Sequence, residues 1–231
     1  MAEQNSKRVY FPILISLSDR KCLVIGGGPI ARHKVQSLEK FSPQLTILAP
    51  EIDEKLAEIA VKNKFEIIRK EYKTADLEGF DLVIAATGKK KVSAQIWKDC
   101  KEKKILINAV DDPEHCDFIL PATVKRGDLT VSVGTQGRSP FLTKELRRWM
   151  NRMFTPEWEE VIDLAADFRK QVFARYSAKQ REERDDCFAR FLEVDWAALL
   201  RDKRPEELTK LVAAILEGKK LKLENNGSGG E

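Results

Sequence analysis

The chain has 231 residues, 42% of them hydrophobic and 34% charged, with a formal net charge of +4. That length supports one or two domains with cores of their own, and the composition excludes a disordered, collagen-like or disulfide-stapled chain. No run of 18 apolar residues occurs, and Met1–Tyr10 lacks the apolar stretch of a secretory leader, so neither a membrane span nor export is expected. Cys22, Cys100, Cys116 and Cys187 are widely separated with no C-x-x-C pair, which fits reduced thiols in a cytoplasmic protein. Residues 113–153 carry seven basic and four acidic side chains. That bias is too mild to imply a nucleic-acid partner.

Taken in chain order, Lys21–Ile25 is an apolar strand running into Gly26-Gly27-Gly28. Ile30–Phe41 has helical spacing with Ile30, Val35 and Leu38 facing inward. Strands are expected at Leu45–Ala49, Phe65–Arg69, Leu82–Ala86 and Ile105–Asn108, and helices at Ile52–Lys62 and Val92–Lys101. Short apolar strands alternating with helices predict an α/β fold of Rossmann type, a parallel sheet covered on both faces. After Asp112 the rhythm changes. Phe118–Val124 and Leu129–Gly134 read as a hairpin joined by Lys125-Arg126-Gly127-Asp128. Ser139-Pro140 starts a helix with Leu142, Leu146, Trp149, Met150 and Met153 on one face. Thr155-Pro156 opens another, with Val161, Leu164, Ala165, Phe168 and Val172 inward, and further helices are expected over Cys187–Leu200 and Pro205–Glu217. Trp149, Trp158, Phe168 and Trp196 read as core or subunit interface. The expected domains are therefore 1–112, an α+β region 113–153 built of a hairpin and a helix, a helical domain 154–224, and a disordered tail 225–231.

Gly26 to Ala31 spells G-x-G-x-x-A between a strand and a helix. In that setting Gly26 permits the tight turn, and Gly28 lacks the Cβ that would strike a pyrophosphate. Ala31 lets the helix pack close, while Pro29 and Ile30 begin the helix whose free N–H groups face the phosphates. A dinucleotide site follows. The acidic residue expected after the second strand is displaced into Ala49-Pro50-Glu51, where Glu51 either reaches the ribose or starts the next helix. No Arg stands there to meet a 2′-phosphate, which favours NAD over NADP.

Several further blocks carry a resemblance: Tyr10-Phe11-Pro12-Ile13, the glycine turn, Ala31 with Lys34, and Ala49-Pro50-Glu51. They are joined by Asn108-Ala109-Val110-Asp111-Asp112-Pro113, Cys116-Asp117-Phe118-Ile119, Pro121-Ala122, Gly127-Asp128-Leu129, Ser132-Val133 and Gly137-Arg138-Ser139-Pro140. Over residues 10–153 the chain resembles the precorrin-2 dehydrogenase / sirohydrochlorin ferrochelatase family of sirohaem synthesis. The resemblance implies an intertwined homodimer whose middle region makes the dimer, with the active site between the first domain and the rest. It also implies NAD-dependent oxidation of precorrin-2, a tetrapyrrole, to sirohydrochlorin. Some members also insert Fe²⁺, as a substrate metal, and the chain is too short for the methyltransferase fused to longer members.

By the same resemblance Asp111 is the catalytic carboxylate, although Asp111-Asp112-Pro113 is also good turn chemistry. Asn108 and Val110 at the end of the fifth strand, and Thr87 at the end of the fourth, are expected to border the cofactor; Gly88-Lys89-Lys90-Lys91 departs from the family pattern there. Thr135, Gly137, Arg138 and Ser139 are expected to hold the acidic side groups of the tetrapyrrole. No residue reads as a certain metal ligand. His115 is a candidate beside Cys116, but a lone loop histidine more often packs or faces solvent, and His33 reads as a surface residue. Two other readings stay open: metal insertion, alone or as a second activity, and a non-catalytic NAD-sensing module.

Overall fold

A computed structural model describes residues 9–41 and 43–219. It divides into two compact units, one comprising the chain up to Pro121 together with Thr135–Ser139, the other Ala122–Gly134 and the chain from Pro140. This division does not follow the expected boundaries at 112 and 153, because 113–121 stays with the sheet while the hairpin groups with the helices. The tail at 225–231 lies outside the described residues.

The first unit is a five-stranded parallel sheet: β1 (Lys21–Ile25), β2 (Gln44–Leu48), β3 (Glu66–Ile68), β4 (Leu82–Ala85) and β5 (Leu106–Ala109), in the order β3-β2-β1-β4-β5. Its helices are α1 (Pro29–Leu38), α2 (Glu54–Asn63) and α3 (Lys90–Lys103). The Rossmann expectation holds, and its cause lies in the side-chain alternation. Cys22, Val24, Leu45, Ile47, Leu82 and Ile84 pack on one face with Ala31, Val35, Leu38, Leu56 and Ala60. Leu23, Ile25, Leu48, Val83, Ala85 and Ile107 pack on the other with Ile96 and Cys100. A strand buried on both faces must be apolar at every position, which is why these strands read as continuous apolar runs. Chain order reverses across β1 and β4, and such a reversal opens a crevice at the carboxyl ends of the strands.

Ile30 does not belong to the inward face of α1. It is 46% exposed, because the buried stripe Ala31, Val35 and Leu38 leaves it on the opposite side of the first turn. On the α3 face one buried polar network interrupts the core. The Tyr72 hydroxyl donates to Asp99 Oδ2 at 2.6 Å, Gln95 donates to Asp99 Oδ1 at 2.7 Å, and Asp99 is 3% exposed. Burial, followed by its bond to Asp99, pushes the Tyr72 phenol well above its usual range. Removing the hydroxyl in Tyr72→Phe leaves a buried carboxylate short of a donor. We expect about 1–3 kcal/mol of destabilisation by urea denaturation.

The second unit begins with a hairpin, β6 (Ala122–Arg126) and β7 (Leu129–Val133), followed by α4 (Pro140–Met153). Phe118–Pro121, expected as strand, lies outside β6. Lys125 and Arg126, expected in the loop, are strand residues, with Arg126 opposite Leu129, so the turn is Gly127-Asp128 alone. Gly127 takes φ +50, and a Cβ there would sit 2.6 Å from Glu159 Cγ. Arg126 points away from solvent duty: its Nε donates to the Phe154 carbonyl at 2.9 Å and its Nη2 to Asn151 Oδ1 at 3.0 Å, tying the strand to the C-terminus of α4. Of the expected α4 face only Met150 is buried, while Leu142, Trp149 and Met153 are exposed.

The remaining helices, α5 (Trp158–Arg175), α6 (Arg181–Leu192), α7 (Trp196–Arg201) and α8 (Pro205–Leu216), enclose a core of their own around Phe168, Phe191 and Trp196. The rings of Phe168 and Phe191, and of Phe191 and Trp196, stack at 4.6 Å. The single helix expected over 187–200 is two. Asp195 accepts from the Ala198 N–H at 3.0 Å and caps a new start, breaking the run at Glu193–Asp195.

Candidate active site

The glycine turn sits at the carboxyl end of β1. Gly26 takes φ +136, and a Cβ on it would lie 2.2 Å from the Ala86 carbonyl oxygen; on Gly27 it would lie 1.8 Å from the Glu51 carbonyl oxygen. Gly28 differs from both, since a Cβ there would meet nothing within 4 Å. Two glycines thus let backbone pack on backbone, and the third leaves open space at the N-terminus of α1. Pro29 occupies the first turn of that helix, where a missing N–H costs nothing, and no acidic side chain stands in that turn. Gly28 is the position at which a pyrophosphate could approach, so these residues fit the dinucleotide. Sequence reasoning named Gly26 and Gly28 but passed over Gly27. The signal was available, because the motif requires two glycines and the chain has three in a row.

Gly27 also fixes the second loop. Its carbonyl accepts from Asp53 N–H at 2.8 Å, and Asp53 caps α2 by accepting from Leu56 N–H at 3.2 Å while pairing with Arg32 at 2.6 Å. The first helical residue of α2 is Glu54, so Glu51 does not start the helix. Ala49 is buried, whereas the Pro50 and Glu51 side chains are exposed at the rim. At the end of β4, the Thr87 hydroxyl accepts from Lys89 N–H at 3.2 Å and meets Ser93 Oγ at 2.9 Å, so it shapes the entry to α3.

At the end of β5, Asn108 is 6% exposed. Its Nδ2 donates to the Phe118 carbonyl at 2.9 Å, while its Oδ1 is buried without a partner among the described residues. Val110 packs on the α1 face. Asp111, next along, is exposed and left-handed at φ +64, a conformation that Asp tolerates better than most residues. The turn then closes sharply. Asp112 N–H donates to the Ala109 carbonyl at 3.2 Å, and the buried Cys116 thiol donates to Ala109 and Asp112 carbonyls at 3.1 and 3.3 Å. Asp117 N–H reaches back to the Ile107 carbonyl at 2.7 Å, so 116–118 returns alongside β5. Lys34, half-buried on α1, has the Cys116 thiol and the Asp111 carboxylate as electrostatic neighbours; burial lowers its pKa and those two groups oppose that shift.

His115 sits on this return, with Nδ1 2.5 Å from Asp112 Oδ2 and its ring 4.3 Å from that of Trp97. Among the described residues no three His, Cys, Asp or Glu side chains gather as metal ligands. Thr135, Gly137, Arg138 and Ser139 fall in the same unit as the sheet. The Thr135 hydroxyl accepts from Ser139 N–H at 3.1 Å, its carbonyl accepts from Arg138 N–H at 3.0 Å, and Gly137 takes φ +75. Gln136 grips the Tyr10 backbone, accepting from its N–H at 3.0 Å, and Arg138 is exposed. The four cysteines are free and buried. Burial pushes Cys22 up to about 11 and Cys100 up to about 12, which makes them inert thiols. No helix among the described residues is long and apolar enough to cross a membrane.

Residues 13–122 match a family described as "Putative NAD(P)-binding". The chain is 36% identical over 170 residues to a siroheme synthase of Methylobacillus flagellatus, covering 74% of this chain and 36% of that one. It is 31% identical over 222 residues to a siroheme synthase of Thioalkalivibrio sulfidiphilus, covering 96% of this chain and 44% of that one. The chain therefore spans less than half the length of these curated relatives. A solved structure described as SirC, precorrin-2 dehydrogenase, superposes with a TM-score of 0.68 at 21% identity, over 88% of this chain and 99% of the other. That likeness is one of fold.

Proposed function

We propose that this chain is a member of the precorrin-2 dehydrogenase family of sirohaem synthesis and oxidises precorrin-2 to sirohydrochlorin, a reading supported by its likeness to siroheme synthases and by its NAD(P)-binding match. NAD, when bound at the glycine turn, supplies the hydride acceptor. Precorrin-2 loses two hydrogens in this oxidation, one leaving as hydride and the other as a proton. Asp111 takes the proton, as an exposed carboxylate at the carboxyl end of β5. Lys34 offers a compensating positive charge beside it. Ala49, Pro50 and Glu51 line the adenosine side, with Glu51 toward the ribose, and Thr87, Asn108 and Val110 border the nicotinamide. Thr135, Gly137, Arg138 and Ser139 hold the substrate's acidic side groups.

The observation that carries the reading is the open face of Gly28 in the same sheet unit as the left-handed, exposed Asp111. Fe²⁺ insertion into the product would use the same carboxylate to receive pyrrole protons. The exposed apolar face of α4, with Leu142, Trp149 and Met153, suits a second copy of the chain in a homodimer. The deciding experiment is anaerobic incubation with precorrin-2 and NAD, following NADH absorbance and the tetrapyrrole spectrum together. NADH should rise in step with sirohydrochlorin, and Fe²⁺ or Co²⁺ added once the trace is flat tests metal insertion. No NADH from a protein that still binds NAD would overturn the oxidation and favour a nucleotide-sensing module.

A further inference from the structure

Two aspartates stand side by side at the tip of the turn after β5, and the structure treats them differently. Asp111 is exposed and left-handed, whereas Asp112 is partly buried with its Oδ2 held 2.5 Å from His115 Nδ1. We propose that His115 is a positioning residue: held against Trp97, it draws the Asp112 carboxylate aside and locks the turn that presents Asp111 as the base. The inference rests on the oxidation reading for what Asp111 does, but the latch itself rests on contacts alone.

A non-glycine residue at φ +64 is strained by about 1–2 kcal/mol, and such a conformation persists only where its surroundings over-determine it. The backbone supplies part of that constraint. Asp112 N–H bonds to Ala109, and His115 N–H bonds to the Asp112 carbonyl at 3.1 Å. The side chains supply the anchorage to α3. The His115 ring lies 4.3 Å from Trp97 at an interplanar angle of 50°, and Trp97 itself packs on the apolar cluster of the α3 face. Four residues further along that helix, Lys101 pairs with Asp117. Residues four apart share a helix face, so α3 grips the return at two points one turn apart. A carboxylate facing Nδ1 also fixes which ring nitrogen carries the proton. Without the imidazole, two neighbouring carboxylates would be left to compete for one role, and the turn would lose the nearer of its two fastenings to the helix.

The chain has only two histidines, so the imidazole ¹⁵N spectrum is simple and the exposed His33 serves as an internal control. In the wild type His115 should show the Nδ1-protonated, carboxylate-bound pattern, and Asp112→Asn should move those signals and leave His33 unchanged. In turnover, His115→Ala should lower kcat about 10- to 100-fold with the KM for NAD within about twofold, since small misplacements of a reacting group cost that much. His115→Asn, whose side-chain amide can still donate to Asp112, should recover most of the loss. Wild-type His115 signals that ignore Asp112→Asn, or a kcat that survives His115→Ala, would overturn the proposal. A wild type that leaves precorrin-2 unoxidised would instead refute the oxidation reading, and the ¹⁵N spectra would still decide the latch.

Discussion

Asp111→Asn should reduce precorrin-2 oxidation by about 10²- to 10⁴-fold, the usual worth of a positioned general base. It should do so without disturbing the fold. Asn shares with Asp the short polar side chain that tolerates the left-handed region, so the φ of +64 at this position is kept. The Asp111 side chain is exposed, so the swap opens no cavity. NAD affinity by fluorescence titration and the thermal midpoint should match the wild type. Asp111→Ala provides the contrast, because alanine at that φ adds about 1 kcal/mol of strain and lowers the midpoint as well. Turnover unchanged in Asp111→Asn would remove this residue from the chemistry.

The second large effect separates neighbouring glycines that look alike in the sequence. Gly27→Ala would put a methyl group 1.8 Å from the Glu51 carbonyl oxygen and 3.1 Å from Ala49 Cβ. Neither contact is with the tip of a flexible side chain, so the loop between β2 and α2 must shift, straining the Asp53-to-Gly27 hydrogen bond. Overpacking of this kind costs about 3 kcal/mol. In a chain of this size that is a fall of about 6–12 °C in the thermal midpoint. Gly28→Ala meets nothing within 4 Å and should leave the midpoint unchanged. Its methyl group would instead fill the space offered to the pyrophosphate and weaken NAD about tenfold or more, readable by calorimetry. A Gly28→Ala protein that binds NAD as the wild type does would place the cofactor elsewhere.

The sheet was legible from the sequence because strands apolar at every position, such as Leu82–Ala85, have few other ways to be buried. Register within one residue was less so. Ile30 was misplaced because apolar character alone does not tell which side of the first helical turn faces the sheet, and here that residue lies at an open rim. Phe118–Pro121 has strand-like composition, but Pro121 offers no N–H to a ladder and the hairpin begins after it. The different settings of Asp111 and Asp112, one exposed and left-handed and the other held by His115, could not be read from two adjacent carboxylates. They depend on Trp97 and His115, 18 residues apart, meeting across the unit. For Gly27 the sequence shows a third glycine where the motif needs two, but not its cause, because its neighbour Glu51 comes from another βα unit.

The return of residues 116–118 along β5 has a consequence for the protein's behaviour in concentrated solution. An open sheet has two outer strands, each with a row of unpaired backbone groups that can recruit a strand from another molecule. Here one of them, β3, is only three residues long. The other, β5, is shielded by the bridge between Asn108 and Cys116 and by the bond from Asp117 to Ile107. The segment proposed to present the base is therefore also the guard on the longer edge. Substitutions that loosen this return should expose a template for self-association and precipitate the protein, whereas Asp111→Asn, whose side chain makes none of these edge bonds, should stay as soluble as the wild type.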